Sequence, residues 1–396
     1  MIDIVTIKER TLLALSSWLL IFPCAFSQPA NPKEGKIIVG AEQLDVLLPR
    51  LQGKRVGLLV NNTSKVGETH LVDTLRNLRV NLKEIFSPEH GFRGNAADGE
   101  LISNSEDTKT GLKITSLYGD NKKPTPEQLA EVDVVIYDIQ DVGARFYTYI
   151  SSLHYMMEAC AEQGKKLIVL DRPNPNAGYI DGPILRPELK SFVGMHPLPI
   201  VYGMTVGELA QMINGEGWLQ TGKKCDLEII PLRNYTHQKS YALPVKPSPN
   251  LPNDHAVALY PSICLFEGTV ISLGRGTTSP FEVVGNPELK GQPFQFTPIT
   301  IQGMSKNPPY ENKICYGLDL RNEKTENKIS LRYLIYMYQH YPDKGKFFTP
   351  YFAKLAGTPE LEEQIKKGFT EEQIRVTWQK DLDTYKIKRS KYLLYP

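Results

Sequence analysis

Val132-Asp-Val-Val-Ile-Tyr-Asp-Ile139 is an apolar run interrupted by two acidic residues, and a helical pattern over 147–163 and the run Lys166-Leu-Ile-Val-Leu170 follow it. Short apolar runs of this kind predict strands that are buried on both faces of a sheet. Gly164 is placed to end the helix between them. Strand, helix and strand in this order indicate parallel strands joined by a helical crossover, so the stretch decides the fold class as α/β.

The same alternation extends toward the N-terminus and onward to residue 232. The pattern predicts further strands over 37–40, 55–60, 82–86, 114–118 and 227–232, and helices over 41–51, 69–78, 125–132 and 205–219. Thr69 is the predicted cap of its helix, and Pro126 stands in a first turn, where proline is tolerated. We therefore expect a Rossmann-like domain with a mainly parallel sheet over residues 36–241.

The amino-acid composition changes where the second part of the chain begins. The stretch Leu243-Pro-Val-Lys-Pro-Ser-Pro-Asn-Leu-Pro252 is rich in proline, and we place a domain boundary beside it. Beyond it, strands are predicted over 265–272 and 316–320, and helices over 330–340, 359–368 and 371–385. Residues 242–396 therefore form a smaller predicted α+β domain.

The N-terminus has the pattern of a secretory signal peptide. Lys8 and Arg10 precede an apolar run over 11–26, and Ala25-Phe-Ser27 is a small-x-small cleavage pattern. Serines and a proline interrupt the run, which disfavours a stable membrane span. Cys24 raises the alternative of a lipoprotein site, but the proline before it is a poor match. We expect cleavage after Ser27, removal of residues 1–27, and a periplasmic location.

Composition and absent motifs exclude several classes of function. The chain has 46 basic and 44 acidic residues and a formal net charge of +2, so nothing indicates nucleic-acid binding. The four cysteines after residue 27 contain no CxxC pair, which predicts buried thiols and no zinc site. P-loop, GxGxxG, GxSxG and HExxH motifs are absent from the sequence. We expect neither a metal nor a cofactor.

Polar residues gather in one stretch directly after a predicted strand. Phe86-Ser-Pro-Glu-His-Gly-Phe-Arg-Gly94 places Glu89, His90 and Arg93 in a turn punctuated by proline and glycine. Open α/β sheets bind ligands just beyond the carboxyl ends of their strands. The alternative is an ordinary turn with a solvated glutamate.

Three further polar clusters are candidates for the same site. They contribute Asp141, Arg145 and Tyr147 from 138–149, Asn250 from 247–252, and Glu267, Arg275, Thr277 and Glu282 from 265–282. Each cluster has a structural alternative: Asp141 can cap a helix and pair with Arg145, the proline loop can be a linker, and either glutamate can pair with a structural arginine. Carboxylates, tyrosines and arginines without a metal or nucleophile motif favour a carbohydrate cleft, because glycosidic bonds are usually cut by carboxylates.

Long motifs in the right order give the chain a resemblance to a known family. The matching stretches are Gly57-Leu-Leu-Val-Asn-Asn-Thr63, 86–94, 138–149, Val169-Leu-Asp-Arg-Pro-Asn-Pro175, Tyr202-Gly-Met-Thr-Val-Gly-Glu-Leu-Ala210, 247–252, 267–282 and Arg389-Ser-Lys-Tyr-Leu-Leu-Tyr395. Together they resemble the NamZ-type exo-β-N-acetylmuramidases, over essentially all of the chain from residue 37. One departure is Val270, where that family usually has asparagine after Glu-Gly-Thr.

The resemblance implies an exo-acting glycosidase that releases N-acetylmuramic acid from the non-reducing end of peptidoglycan fragments in cell wall recycling. It implies a Rossmann-like domain, a smaller C-terminal domain and a cleft between them, with Glu89 as the general acid. Glu267 is our second carboxylate, with Asp141 and Glu282 as alternatives, and a substrate-assisted route through the acetamido group needs no second nucleophile. Arg275 or Arg93 would hold the lactyl carboxylate.

Two rival functions remain at this point. A periplasmic sugar-binding protein without turnover would also need two domains and an aromatic cleft. A peptidoglycan amidase or esterase is the enzyme rival, and the absent zinc and serine motifs count against it.

Overall fold

The protein is known from a computed structural model that describes residues 35–89, 91–93 and 105–396, of which residues 37–396 form one compact unit. The strands in these ranges are β1 (Val56–Val60), β2 (Lys65–Val66), β3 (Thr69–His70), β4 (Leu82–Ser87), β5 (Ser105–Glu106), β6 (Lys113–Ser116), β7 (Val134–Asp138), β8 (Lys166–Leu170), β9 (Asp226–Ile230), β10 (Val283–Asn286), β11 (Phe294–Phe296) and β12 (Cys315–Asp319). The α-helices are α1 (Leu44–Leu51), α2 (Leu71–Asn77), α3 (Pro126–Leu129), α4 (Tyr149–Gln163), α5 (Val206–Gly215), α6 (Asp254–Ile263), α7 (Arg332–His340), α8 (Phe352–Ala356), α9 (Glu360–Lys366) and α10 (Glu371–Arg389).

A seven-stranded sheet in the order β5-β6-β4-β1-β7-β8-β9 forms the centre of this unit. All neighbouring pairs are parallel except the edge pair of β5 and β6. The chain runs from β1 outward to β4 and β6, and then returns to β7 on the other side of β1. A ligand crevice is expected where the strand order reverses in this way, at the carboxyl ends of β1 and β7. The predicted α/β fold class is confirmed.

The alternation of side chains along each strand divides the core between the two faces of the sheet. In β7, Val134 and Ile136 belong to one buried apolar cluster, and Val135 and Tyr137 belong to the other. All five residues of β7 are buried, as predicted for a central strand that is covered on both faces.

The second part of the chain carries a three-stranded antiparallel sheet, in the order β10-β12-β11, and helices α6 to α10. Its last residues return to the large sheet. The Tyr385 hydroxyl donates to the Tyr202 carbonyl at 2.8 Å, and the Tyr395 hydroxyl donates to Asp171 at 2.6 Å. The C-terminal end of the chain is therefore part of the same packed unit.

Three local predictions were wrong. Helix α2 begins two residues after Thr69 and is capped by His70, whose side chain accepts from the Val72 N–H, while Thr69 pairs within the β2–β3 hairpin. Residues 37–40 contain a single bridge, at Ile38, instead of a strand. Residues 265–272 are not a strand, because helix α6 continues into a 3-10 helix at Cys264–Gly268.

The sequence reasoning also missed α6 itself. Asn253 caps it by accepting from the Ala256 N–H, and Pro261 lies inside the helix, a position that normally indicates a helix end. The four cysteines of the described chain, Cys160, Cys225, Cys264 and Cys315, are buried thiols, as predicted. Within the same ranges, no helix combines the length and the apolar character needed to cross a membrane.

Candidate active site

A cleft of about 320 Å³ brings together segments from both parts of the chain. The turn after β4, the segment that leads into α4, the proline-rich loop and the 3-10 helix after α6 all reach it. Its lining residues are Glu89, Tyr118, Phe146, Tyr147, Thr148, Tyr149, Phe192, Val193, Ser248, Asn250, Leu251, Tyr260, Glu267, Arg275, Phe281 and Tyr351. Five of the predicted site residues are among them: Glu89, Tyr147, Asn250, Glu267 and Arg275.

Glu89 is held at the cleft by the turn that ends β4. It stands two residues beyond Ser87, the last residue of that strand. The Gly91 N–H donates to the Pro88 carbonyl at 3.2 Å across the turn, and Gly91 has a φ of 78°, a conformation that favours glycine. The Tyr149 hydroxyl donates to the Glu89 carbonyl at 3.4 Å. The half-buried Glu89 carboxyl group is therefore presented from a constrained backbone.

Glu267 comes from the other part of the chain and forms an ion pair at the cleft. Arg275 Nη2 donates to Glu267 Oε1 at 2.7 Å, and the two side chains are 19% and 26% exposed. The Arg275 guanidinium also lies over the Phe281 ring, 5.3 Å from its centroid. Charge-assisted hydrogen bonds of this kind fix both partners. A carboxylate and an arginine from the second part of the chain therefore line the same cleft as Glu89.

The glycines beside Arg275 serve the loop itself. Gly274 and Gly276 have φ values of 81° and 82°. A Cβ at Gly274 would meet Val283 at 2.6 Å, and one at Gly276 would meet Pro308 at 2.6 Å. Their conformation and close packing within the protein explain why both positions are glycine.

Edge-to-face aromatic contacts form one wall of the cleft. The Tyr147 ring contacts the Tyr149 and Tyr260 rings at centroid distances of 4.9 and 5.9 Å, and Tyr260 contacts Phe281 at 5.0 Å. The Tyr147 hydroxyl donates to the Pro247 carbonyl at 2.6 Å. Burial raises the pKa of Tyr147 well above its usual value, so it stays a neutral donor. Burial, followed by the charge of Glu267, also raises the pKa of Tyr351.

Asn250 joins the wall through the proline-rich loop. Its Nδ2 donates to the Met304 carbonyl at 3.0 Å, which orients the side-chain amide. This loop is therefore more than a linker.

Asp141 and Arg145 are buried below the cleft instead of facing it. Asp141 accepts from the Tyr202 hydroxyl and from the Gly143 N–H, and burial raises its pKa to about 6. Arg145 is fully buried and donates to the carbonyls of Pro183, Leu198 and Leu355 at 2.6–2.8 Å. Burial lowers the pKa of Arg145 to about 9. These two residues position the segment 146–149 that lines the cleft, and they do not pair with each other as the structural alternative supposed.

The remaining predicted site residues lie elsewhere. Glu282 accepts from Asn253 at 3.0 Å and contacts His255 Nδ1 at 2.8 Å, and Thr277 donates to the Gly274 carbonyl at 2.7 Å. Arg93 forms a bidentate pair with Asp107 and reaches Asp73. His90 lies outside the described residues.

A larger cavity, of about 490 Å³, lies between the 183–187 loop and helices α9 and α10. Its described lining contains none of the predicted site residues, so the smaller cleft is the candidate active site. Across the described ranges, no group of three or more His, Cys, Asp and Glu side chains is arranged to hold a metal ion.

Comparison with known proteins shows which family this arrangement belongs to. The family model described as "Exo-beta-N-acetylmuramidase NamZ, N-terminal" matches residues 56–255, and the model of the C-terminal part matches residues 258–395. The chain is a member of the NamZ family. The resemblance inferred from the motifs is confirmed.

One curated relative and two solved structures are similar to nearly all of the chain. The peptidoglycan beta-N-acetylmuramidase NamZ of Bacillus subtilis is 38% identical over 98% of this chain and 100% of its own length. The crystal structure of a DUF1343 family protein from Bacteroides fragilis is 48% identical, with a TM-score of 0.85, and covers 91% of this chain and 99% of its own. A second such structure from the same organism is 30% identical, with a TM-score of 0.77 and the same coverage.

The NamZ family models meet between residues 255 and 258, inside helix α6. Our domain limits at 36–241 and 242–396 stay predictions.

Sequence reasoning missed most of the aromatic lining of this NamZ cleft. Tyr118, Phe192, Tyr260 and Tyr351 come from four separate segments, and none stands in a polar cluster. The chain has 20 tyrosines, which was the one available signal, but a count does not say which tyrosines meet in space.

Proposed function

We propose that this protein is an exo-acting glycoside hydrolase that releases terminal N-acetylmuramic acid from the non-reducing end of peptidoglycan fragments. The observation that carries the proposal is that Glu89 and Glu267, from two distant parts of the chain, line one cleft in a NamZ-family fold. Paired carboxylates are the usual catalysts of glycoside hydrolysis.

Glu89 acts as the general acid that protonates the departing glycosidic oxygen. Its place in a constrained turn at the carboxyl end of β4 supports this role, because a general acid must be held at a fixed distance from one atom. Glu267 acts as the second carboxylate of the cleft, where its hydrogen bond with Arg275 fixes its position. A substrate-assisted route would use the acetamido oxygen as the nucleophile, with Glu267 orienting or stabilising it.

Arg275 binds the lactyl carboxylate of N-acetylmuramic acid. A guanidinium has five N–H donors, so Arg275 can bond Glu267 and a ligand carboxylate together. Arg93, the alternative, is engaged by Asp107 and Asp73, away from the cleft. The assignment therefore goes to Arg275.

The size and lining of the cleft support exo action on a terminal sugar. A volume of about 320 Å³ is at the small end of ligand pockets, which run from ~300 to ~1,000 Å³. Aromatic faces such as that of Tyr351 offer stacking to the apolar face of a sugar ring. We also propose that the protein is exported and acts in the periplasm, on the support of the signal-peptide pattern in residues 1–27.

Replacing the proposed acid tests the function. Glu89→Gln keeps the size of the side chain but donates no proton of comparable acidity, so kcat on a chromogenic N-acetylmuramide should fall about 10²–10⁴-fold. Glu131→Gln, at an exposed position, is the matched control and should keep wild-type kcat. Wild-type protein that binds the muramide without turnover would support a sugar-binding protein instead, and near-wild-type kcat in folded Glu89→Gln would remove Glu89 from the role.

A further inference from the structure

A second cavity, of about 270 Å³, adjoins the active-site cleft. The two cavities share Glu267, Arg275 and Tyr351 in their linings. We call the second cavity the side lobe; its other lining residues are Phe266, Thr269, Val270, Ile271, Ser272, Leu273, Pro309 and Tyr310. The Glu267–Arg275 ion pair therefore stands where the cleft and the side lobe meet.

Val270 lines the side lobe and is partly exposed. Its N–H donates to the Phe347 carbonyl at 3.0 Å, and its carbonyl accepts from Asn286 at 2.6 Å and from the Tyr310 hydroxyl at 2.5 Å. With these backbone groups bonded within the protein, Val270 has a partly exposed isopropyl group to offer to a ligand.

Tyr310 also lines the side lobe, and its backbone conformation is rare for this type of residue. Tyr310 has a φ of 62°, a left-handed value uncommon for a bulky side chain. Its hydroxyl is fixed by donation to Val270 and by acceptance from Asn286 Nδ2 at 2.9 Å. Residues held in this way are concentrated at ligand sites, where surrounding contacts maintain the strained conformation.

With Glu89 as the general acid, the leaving group is expected in the cleft and not in the side lobe. A general acid must stand beside the departing oxygen, and Glu89 lines the cleft but is not among the described lining residues of the side lobe. The side lobe therefore receives a substituent of the terminal sugar, and Arg275 at its entrance selects a substituent that carries an anion.

We propose that the side lobe is the subsite for the 3-O-lactyl ether of N-acetylmuramic acid, with the lactyl methyl group against Val270 and the carboxylate on Arg275. The inference rests on the proposed function. It makes Val270 a specificity-determining residue, because N-acetylglucosamine has a hydroxyl group in place of the lactyl ether and leaves the side lobe unfilled.

Filling the side lobe tests the subsite. Val270→Phe should lower kcat/KM for a chromogenic N-acetylmuramide by about 10–100-fold, the scale of steric discrimination in an apolar pocket, and chiefly through KM. Inhibition by free N-acetylmuramic acid should weaken by the same factor, while inhibition by free N-acetylglucosamine should stay within about threefold of wild type. Val376→Phe, at a 75% exposed position on α10, is the matched control and should behave as wild type.

Three results separate the possible failures. Wild-type kcat/KM in Val270→Phe, or equal loss of inhibition by both sugars, overturns the subsite but leaves the proposed function standing. Absence of muramide turnover in the wild type overturns the proposed function. In that case, the subsite is tested by titrating N-acetylmuramic acid and N-acetylglucosamine as ligands of the wild type and of Val270→Phe. If Val270→Phe does not fold, Val270→Ala decides: selective weakening of N-acetylmuramic acid binding supports the subsite, and unchanged binding of both sugars overturns it.

Discussion

At the scale of single residues, the sequence shows which side chains have the chemistry of catalytic residues, and the fold determines which of them line the cleft. Glu89 could be found because it follows a strand end, where parallel sheets bind ligands. Asp141, Arg145 and Glu282 have the same side-chain chemistry as catalytic residues, yet they are buried and bonded to groups distant in sequence. The direction of a side chain depends on those distant partners, so residue types alone could not separate the two sets.

Arg275 and Arg93 are the two candidates for binding the substrate carboxylate, and their alanine variants can be compared directly. Arg275→Ala should cost about 2–5 kcal/mol in kcat/KM for an N-acetylmuramide, because it leaves Glu267 and the substrate carboxylate without their cation. Arg275→Lys should restore part of the loss, since it keeps the charge and lacks the planar fork. Arg93→Ala is the control and should keep the preference for muramide over glucosaminide. Unchanged preference in Arg275→Ala would move carboxylate recognition to another residue.

At the scale of helices and strands, local sequence signals predicted the first part of the chain better than the second. Parallel strands such as β7 and β8 are nearly continuous apolar runs, and a helix joins them, so a mainly parallel sheet could be inferred. The three-stranded sheet pairs β10 and β11 with β12, which is far along the chain, and no local pattern encodes that pairing. Helix α6 was hidden by the prolines around it.

One buried contact couples helix α4 to the loop that carries Phe192 and Val193 into the cleft. His154 of α4 lies 3.0 Å from His196 and 3.1 Å from Glu158, which also pairs with Lys123. Burial lowers the pKa of His154 to about 4, with the charge of Glu158 opposing the shift and those of Lys190 and Lys123 adding to it. Burial also lowers the pKa of His196. Burial in the native state therefore keeps the imidazole rings of His154 and His196 neutral.

This contact predicts a loss of stability at acid pH. A histidine whose pKa is lower in the native state contributes its full stability above the unfolded value near 6.5 and loses it as pH falls toward the native value of about 4. His154→Gln should therefore show a shallower fall in the free energy of unfolding between pH 6.5 and 4, by up to about 3 kcal/mol. Asp141 titrates in the opposite direction in both proteins, so its effect cancels in the difference. Parallel pH profiles from denaturant titrations would contradict the prediction.

At the scale of the whole molecule, the end of the chain joins its two parts through a buried polar network. The Tyr395 hydroxyl donates to Asp171 at 2.6 Å and accepts from the Leu232 N–H at 2.8 Å. Nearby, Glu208 accepts from the Leu394 N–H at 2.8 Å and contacts His237 Nε2 at 2.8 Å. The last residues thereby bind the ends of strands β8 and β9 after the chain has passed through the second part. The network thus adds stability to the packed unit whose segments line the cleft.

Removing the Tyr395 hydroxyl group tests how much this network contributes to stability. Tyr395→Phe leaves the buried Leu232 N–H without its acceptor and removes one donor from Asp171, which keeps Thr205 and Gly207 as donors. The free energy of unfolding should fall by about 1–3 kcal/mol. Because the cleft residues are untouched, kcat at 25 °C should stay close to wild type, while inactivation on heating should begin at a lower temperature. Tyr338→Phe on α7 is the matched control, since its ring packs against Phe347 and Phe348 and keeps those contacts. Equal stability of the two variants would show that the tail is not part of the cooperative unit, and a large fall in kcat for Tyr395→Phe would place the network in catalysis.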